Sequence, residues 1–218
     1  MDLTWEEGRA YLKALVAEYG LPFRVETFWG ELFLYLERLS AEAGRLRLTA
    51  LSDPGQRLRF PVLESLILAT LLPEGSFRVA DLGSGAGVPG LVLKLVRPEL
   101  EVVLYEAHAP RVTFLEETIA LLGLSGIRVE RKHLGREWPE ARFPVVVSRG
   151  YGSAEKFAAQ AARLLTRPGL AFYLWRNDVE PRGDPEKHLP LLREVSFELP
   201  EKGGIRRLLV FSSTSELP

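Results

Sequence analysis

From Arg78 onward, short β-branched and apolar runs alternate with stretches whose apolar residues recur every three or four positions. The runs Val79–Leu82, Val102–Tyr105, Ile127–Glu130, Val145–Ser148, Leu170–Leu174, Val195–Leu199 and Arg206–Phe211 predict strands. Helices are predicted over Gly90–Val96, Arg111–Leu122, Ala154–Leu165 and Pro185–Leu192. Such alternation is the signature of a parallel sheet covered on both faces. The last two strands are separated only by Pro200-Glu201-Lys202-Gly203-Gly204, too short for a helical crossover, so they should form an antiparallel hairpin.

Ahead of this region the period is helical. Trp5, Tyr11, Leu12, Leu15 and Val16 mark one amphipathic helix, and Phe28, Leu32, Phe33, Leu36 and Leu39 a second. Asp53-Pro54-Gly55 reads as a turn or a helix start, and a further helix should run from about Leu58 to Leu72. We therefore expect a helical segment over 1–75 and one compact α/β unit over 76–218, with no internal repeat.

One stretch carries candidate chemistry: Val79-Ala80-Asp81-Leu82-Gly83-Ser84-Gly85-Ala86-Gly87-Val88-Pro89-Gly90, a strand entering a glycine-dense turn and then a helix. Backbone without Cβ atoms admits a ligand closely, and Glu106, closing the next strand, can accept both hydroxyls of a ribose. A nucleoside-containing cofactor is implied. Two parsings compete. Gly85-Ala86-Gly87-Val88-Pro89-Gly90 matches the dinucleotide pattern G-x-G-x-x-G, but it leaves Gly83 and Ser84 outside and puts Pro89 at the helix start. Asp81-Leu82-Gly83-Ser84-Gly85-Ala86-Gly87 fits the D-x-G-x-G-x-G arrangement of S-adenosylmethionine enzymes, with the aspartate near the amino-acid moiety of the cofactor. That cofactor has no phosphate, so no helix N-terminus need face an anion. A seven-stranded, mostly parallel sheet with an antiparallel last strand is the class I S-adenosylmethionine methyltransferase layout, Rossmann-like but distinct from the all-parallel dinucleotide fold.

The pattern extends further. Leu48-Thr49-Ala50-Leu51-Ser52-Asp53-Pro54, Leu63-Glu64-Ser65-Leu66, the glycine turn through Gly90, Phe114-Leu115, Leu122-Gly123-Leu124 and Val147-Ser148-Arg149 together resemble the RsmG/GidB family. Those bacterial enzymes methylate N7 of a guanine in 16S ribosomal RNA. The resemblance runs from the N-terminal helices to about Gly169. It implies that Asp81, Gly83, Ser84, Gly85, Gly87 and Val88 surround the cofactor and that Glu106 and Ala107 hold its ribose end. It also implies that Leu134 and Gly135 line the pocket and that Arg149 points into the site to orient the reactants. The chain departs from the family at Pro61 (usually His), Glu64 (Asp), Pro110-Arg111 (a basic pair), His133-Leu134-Gly135 (Arg-Ala-Glu) and Trp175-Arg176 (Lys-Gly). A second reading therefore stands beside the first: a paralogue that binds the cofactor without turnover as an assembly factor, or one that methylates another RNA or a small molecule.

Guanine N7 has a free lone pair, so its methylation needs positioning and water exclusion but no general base. The absence of cysteine removes the thiolate that C5 methylation of pyrimidines normally uses. Ser148-Arg149-Gly150-Tyr151 is also unlike the Asp/Asn-Pro-Pro-aromatic motif used on exocyclic amines. Arg149 can serve guanine O6, a phosphate or a cofactor group, or else a structural ion pair. Tyr151 stacks on a base or packs; Trp175 ends a strand beside the expected pocket mouth.

Composition narrows the partners. A net charge of −1 confines any nucleic-acid contact to a local patch, with Arg45, Arg47, Arg57 and Arg59 either meeting phosphates or forming a solvated face. His108, His133 and His188 lack metal-like spacing, so no metal is expected. No apolar run reaches membrane-span length and the N-terminus is acidic, so a soluble cytoplasmic protein is expected. We expect a monomer, and the resemblance implies ribosomal RNA or the small ribosomal subunit as its partner.

Overall fold

A computed structural model describes residues 4–48, 53–176, 183–201 and 203–214. The expected seven strands are present as β1 (Arg78–Leu82), β2 (Glu101–Glu106), β3 (Ile127–Arg131), β4 (Phe143–Arg149), β5 (Leu165–Arg176), β6 (Leu191–Leu199) and β7 (Gly204–Ser212). They form one sheet in the order β3-β2-β1-β4-β5-β7-β6. The first five strands pair in parallel; β7 runs antiparallel to both β5 and β6. The hairpin and the mostly parallel sheet are as read from the sequence.

The helices are α1 (Trp5–Glu18), α2 (Trp29–Leu46), α3 (Pro54–Arg57), α4 (Leu63–Leu71), α5 (Gly90–Val96), α6 (Ala109–Leu121) and α7 (Ala154–Leu164). Strand alternation sends side chains to two faces. Val79, Val102, Val145 and Val147 join Leu32 and Leu36 of α2, Leu66 of α4 and Leu91 of α5 in one core. Ala80, Leu82, Val103 and Val146 meet Phe157, Ala158 and Ala161 of α7 in the other. Because both faces are covered, β1 can be apolar at successive positions.

Local signals set the N-terminal helices. Thr4 and Glu7 form a reciprocal capping box on α1. Asp53 accepts the Gln56 amide at 2.8 Å, so Asp53-Pro54-Gly55 is a helix start. The chain then passes through a wide π-helical turn, Leu58–Val62, before α4; Pro61, which has no N–H to give, lies inside it. The family-like residues Thr49 to Ser52 lie outside the described residues.

One predicted helix is absent. Pro185–Leu192 holds only a 3₁₀ turn, Pro185–Lys187, and β6 has begun by Leu191. Pro190 cannot continue a helix, and its carbonyl accepts the Ser212 amide at 3.0 Å, which starts the pairing with β7.

Candidate functional site at the glycine turn

The central strand β1 delivers its C-terminal end to the turn. Gly83, Gly85 and Gly87 all have left-handed backbone, with φ of 69°, 56° and 98°. Only glycine adopts that conformation repeatedly without strain. Neighbouring elements tie the turn down. The Gly83 and Ser84 amides both donate to Tyr105 O, at 2.9 and 3.1 Å, and Gly87 N donates to Ser84 O at 2.7 Å. The buried Tyr35 hydroxyl of α2 donates to Ala86 O at 2.9 Å.

Glu106 closes the arrangement from β2. Its Oε2 accepts the Gly85 amide at 3.0 Å and its Oε1 the His108 amide at 2.8 Å, with the residue only 6% exposed. Each oxygen keeps further acceptor capacity. The carboxylate thus holds the turn and faces the adjoining cleft at once. That cleft, of about 120 Å³, is lined by Gly83, Tyr105, Glu106, Ala107, Lys132, His133, Leu134, Tyr151 and Lys156.

Of the residues singled out from the sequence, Gly83, Glu106, Ala107 and Leu134 therefore meet at one cleft. Ser84, Gly85 and Gly87 frame the turn behind it. Gly135 follows Leu134 beside the Gln160 side chain, whose Nε2 donates to Leu134 O at 3.2 Å. Val88 packs toward the core of α2, α4 and α5. Asp81 does not line the cleft. It is fully buried behind the turn, where Oδ2 accepts the Gly90 amide at 3.1 Å and Oδ1 has no hydrogen-bond partner. Burial raises its pKa to about 7, against the lowering effect of the Gly90 and Ser84 hydrogen bonds.

Arg149 is drawn into an ion-pair network beside α4. Its Nε donates to Oε2 of Glu64 at 2.5 Å, while Arg206 of β7 donates Nε to Oε1 at 2.7 Å. Glu64 is 1% exposed, so its charge is compensated from two sides. The structural ion pair is the arrangement observed, although the Arg149 side chain remains 26% exposed.

The sequence cluster of arginines splits: Arg45 and Arg47 are exposed, Arg59 is half-buried and Arg57 is buried. Arg57 is buried and reaches Ser40 Oγ; Arg59 pairs with Asp53 and Glu201; Arg45 pairs with Glu42. Arg47 ends α2, and its carbonyl accepts from Arg111.

Sequence reasoning missed Lys132 and Lys156 as cleft residues and weighed His133 only as a metal ligand. The spacing of 24 residues between the two lysines gives no local signal; pairing of β3 and placement of α7 bring them together. Tyr151 packs its ring on Gly83, so that a Cβ there would run into it, and Lys156 Nζ lies 4.6 Å from the ring centroid. Trp175 is partly buried near Tyr173 and does not line the cleft. Among the described residues no group of three or more His, Cys, Asp or Glu is placed to hold a metal ion. No described helix is long and apolar enough to cross a membrane.

Comparison with known proteins adds sequence relationships to this geometry. A family model, rRNA small subunit methyltransferase G (GidB), matches residues 30–181. Ribosomal RNA small subunit methyltransferase G of Yersinia pseudotuberculosis is 31% identical over 186 residues, covering 84% of this chain and 89% of that one. The protein of the same name from Dichelobacter nodosus is 34% identical over 134 residues, spanning 62% of this chain and 63% of its own length. Among solved structures, a SAM-dependent methyltransferase from Aquifex aeolicus matches with a TM-score of 0.57 at 17% identity, covering 77% of this chain and 97% of that one. A Thermus thermophilus 16S rRNA N2 methyltransferase in complex with AdoMet and guanosine matches with a TM-score of 0.56 at 21% identity, covering 71% and 43%. At these identities the structural likeness shows the fold alone.

Proposed function

Since the chain belongs to the rRNA small subunit methyltransferase G family, we propose that it transfers a methyl group from S-adenosylmethionine to N7 of a guanine in small-subunit ribosomal RNA. The observation that carries this reading is the double duty of Glu106, which fixes the glycine turn through Gly85 while lining the cleft beside Gly83. A nucleoside requires that combination: a carboxylate for vicinal hydroxyls and, next to it, backbone without a side chain. The residues fit the group. Glu106 and the Ala107 backbone would hold the ribose and the base edge, Leu134 would pack against the base, and Gly83 with Ser84 and Gly85 would flank the amino-acid end.

Bound there, S-adenosylmethionine supplies an electrophilic methyl group. The protein contributes placement. Tyr105, Leu134 and Tyr151 give the cleft apolar walls that exclude water. Guanine N7 carries a free lone pair, so its methylation would ask no side chain to remove a proton. Arg149, anchored through Nε on Glu64, keeps its Nη donors for an acceptor such as guanine O6, which would orient the base. Asp81 acts indirectly by tying the turn to α5 through Gly90. We place the reaction in the cytoplasm, with a metal-free monomer as the working unit.

The test is to incubate the purified protein with methyl-labelled S-adenosylmethionine and 16S ribosomal RNA or small subunits, then digest the RNA to nucleosides. Label in 7-methylguanosine is expected. Cofactor binding with no labelled nucleoside from any of these substrates overturns the proposal.

A further inference from the structure

The cleft rim is basic, and S-adenosylmethionine would not account for that charge. The segment Arg131-Lys132-His133-Leu134-Gly135-Arg136 contains no acidic residue, although the chain as a whole has a net charge of −1. Lys132 and His133 line the cleft, and Lys156 joins them from the first turn of α7. Arg131, Arg136 and Lys156 are exposed and Lys132 is half-buried. None of these four has a carboxylate partner among the described residues. Lys156 Nζ sits over the face of Tyr151.

Loop and helix form one surface. Gln160 of α7 bonds Leu134 O at 3.2 Å, and Arg163 of α7 lies 4.1 Å from the centroid of the Trp138 ring. Glu137 and Glu140 follow on the same loop, matched in number by Arg142 and Arg163, and Glu130, just before the segment, is paired with Arg128. The ridge thus keeps a positive excess next to the mouth of the cleft.

S-adenosylmethionine carries a sulfonium, an ammonium and one carboxylate, with no phosphate. Its net charge is positive, so a ring of cations does not complement it, and Glu106 is the group in the cleft that does. The ridge suits a second, polyanionic ligand. The arginine cluster near α2 is a weaker competitor: Arg57 is buried, Arg59 is paired with Glu201 and Arg45 with Glu42, which leaves Arg47 as its exposed cation without a carboxylate partner among the described residues.

Resting on the methyltransferase reading, we propose that Arg131, Lys132, Arg136 and Lys156 form the track for the ribosomal RNA backbone. The RNA then reaches the cleft from the β3 and α7 side, with phosphates on the ridge and the acceptor guanine at the cleft mouth. Each phosphate neutralised by a lysine or arginine releases condensed counterions, which makes the contact measurable as salt dependence.

The experiment compares wild type, Arg131→Glu/Arg136→Glu, Arg131→Gln/Arg136→Gln, both pairs lying on the ridge outside the cleft lining, and Arg45→Glu as a control away from the ridge. Binding of an unmodified 16S ribosomal RNA transcript is followed by fluorescence anisotropy over a salt series, cofactor binding by calorimetry and folding by thermal unfolding. The charge-reversed variant should lose roughly tenfold or more in RNA affinity, and the slope of log K against log salt should fall by about 2. The glutamine variant should lie between it and wild type, with cofactor affinity unchanged in both and Arg45→Glu behaving as wild type. Unchanged RNA affinity and slope in the folded charge-reversed variant overturn the track, as does an equal loss in Arg45→Glu. Wild type that binds cofactor but no RNA overturns the RNA methyltransferase reading itself, and the track with it.

Discussion

Asp81 shows how a single buried carboxyl becomes a pH sensor for the fold. Enclosure pushes its pKa from 3.8 to about 7, so folding favours the protonated form. With a folded pKa above the unfolded one, its stabilising contribution is complete below pH 3.8 and is lost as pH rises through about 7. Asparagine in its place still offers an oxygen to the Gly90 amide but does not titrate. Urea unfolding should therefore show wild type losing stability relative to Asp81→Asn between about pH 4 and 8. Parallel profiles would mean that Asp81 is ionised in the folded protein throughout. The motif around Asp81 was legible in the sequence; its direction was not. A Cβ on Gly90 would stand 2.7 Å from Asp81 Oδ2, so glycine nine residues away is what lets the carboxyl turn inward toward α5.

Between elements, Glu64 is the joint. One carboxylate on α4 receives Arg149 from the end of β4 and Arg206 from β7, partners 85 and 142 residues away along the chain. Removing an acid that compensates buried cations costs about 3–5 kcal/mol. Glu64→Ala should accordingly destabilise the protein by that order in chemical denaturation and loosen Arg149, whereas Glu64→Gln, which keeps an acceptor oxygen, should lose less. A near-neutral Glu64→Ala would show that water replaces the carboxylate at both arginines. These distances along the chain explain why the elements were easier to read than their ion pairs. Val102–Tyr105 and Val145–Ser148 declare themselves as strands locally, through β-branched side chains bounded by turn residues. The partners of Arg59 and Arg149 emerge only after the sheet has assembled. Pro185–Leu192 failed for a local reason: Leu191, Val195 and Phe197 already belong to the β6 pattern, and pairing with β7 outweighed a short helical stretch.

At the scale of the whole molecule, the N-terminal helices and the glycine turn share a core. Leu12, Leu32, Tyr35 and Leu36 pack in the same cluster as Val79, Ala86 and Leu91. The amphipathic period of α2 was readable from the sequence, but the residue by which it grips the turn was not, since a tyrosine in a helix has no signal for its partner. Tyr35→Phe keeps the packing and removes the donor to Ala86 O. A buried acceptor left unmet costs about 1–3 kcal/mol, so the variant should unfold at lower urea concentration and bind S-adenosylmethionine more weakly by calorimetry. Equal cofactor affinity would detach α2 from the site.

That one hydroxyl also makes binding at the turn audible at a distance. Coupling between two regions is reciprocal: whatever α2 does to hold Ala86 in place, a ligand that orders the turn must do in return to α2. Amide hydrogen exchange along Trp29–Leu46 should slow when the cleft fills, although no residue of that helix lines the cleft. The first helices of the chain can thus serve as a built-in occupancy gauge for a site formed by the strands that follow them.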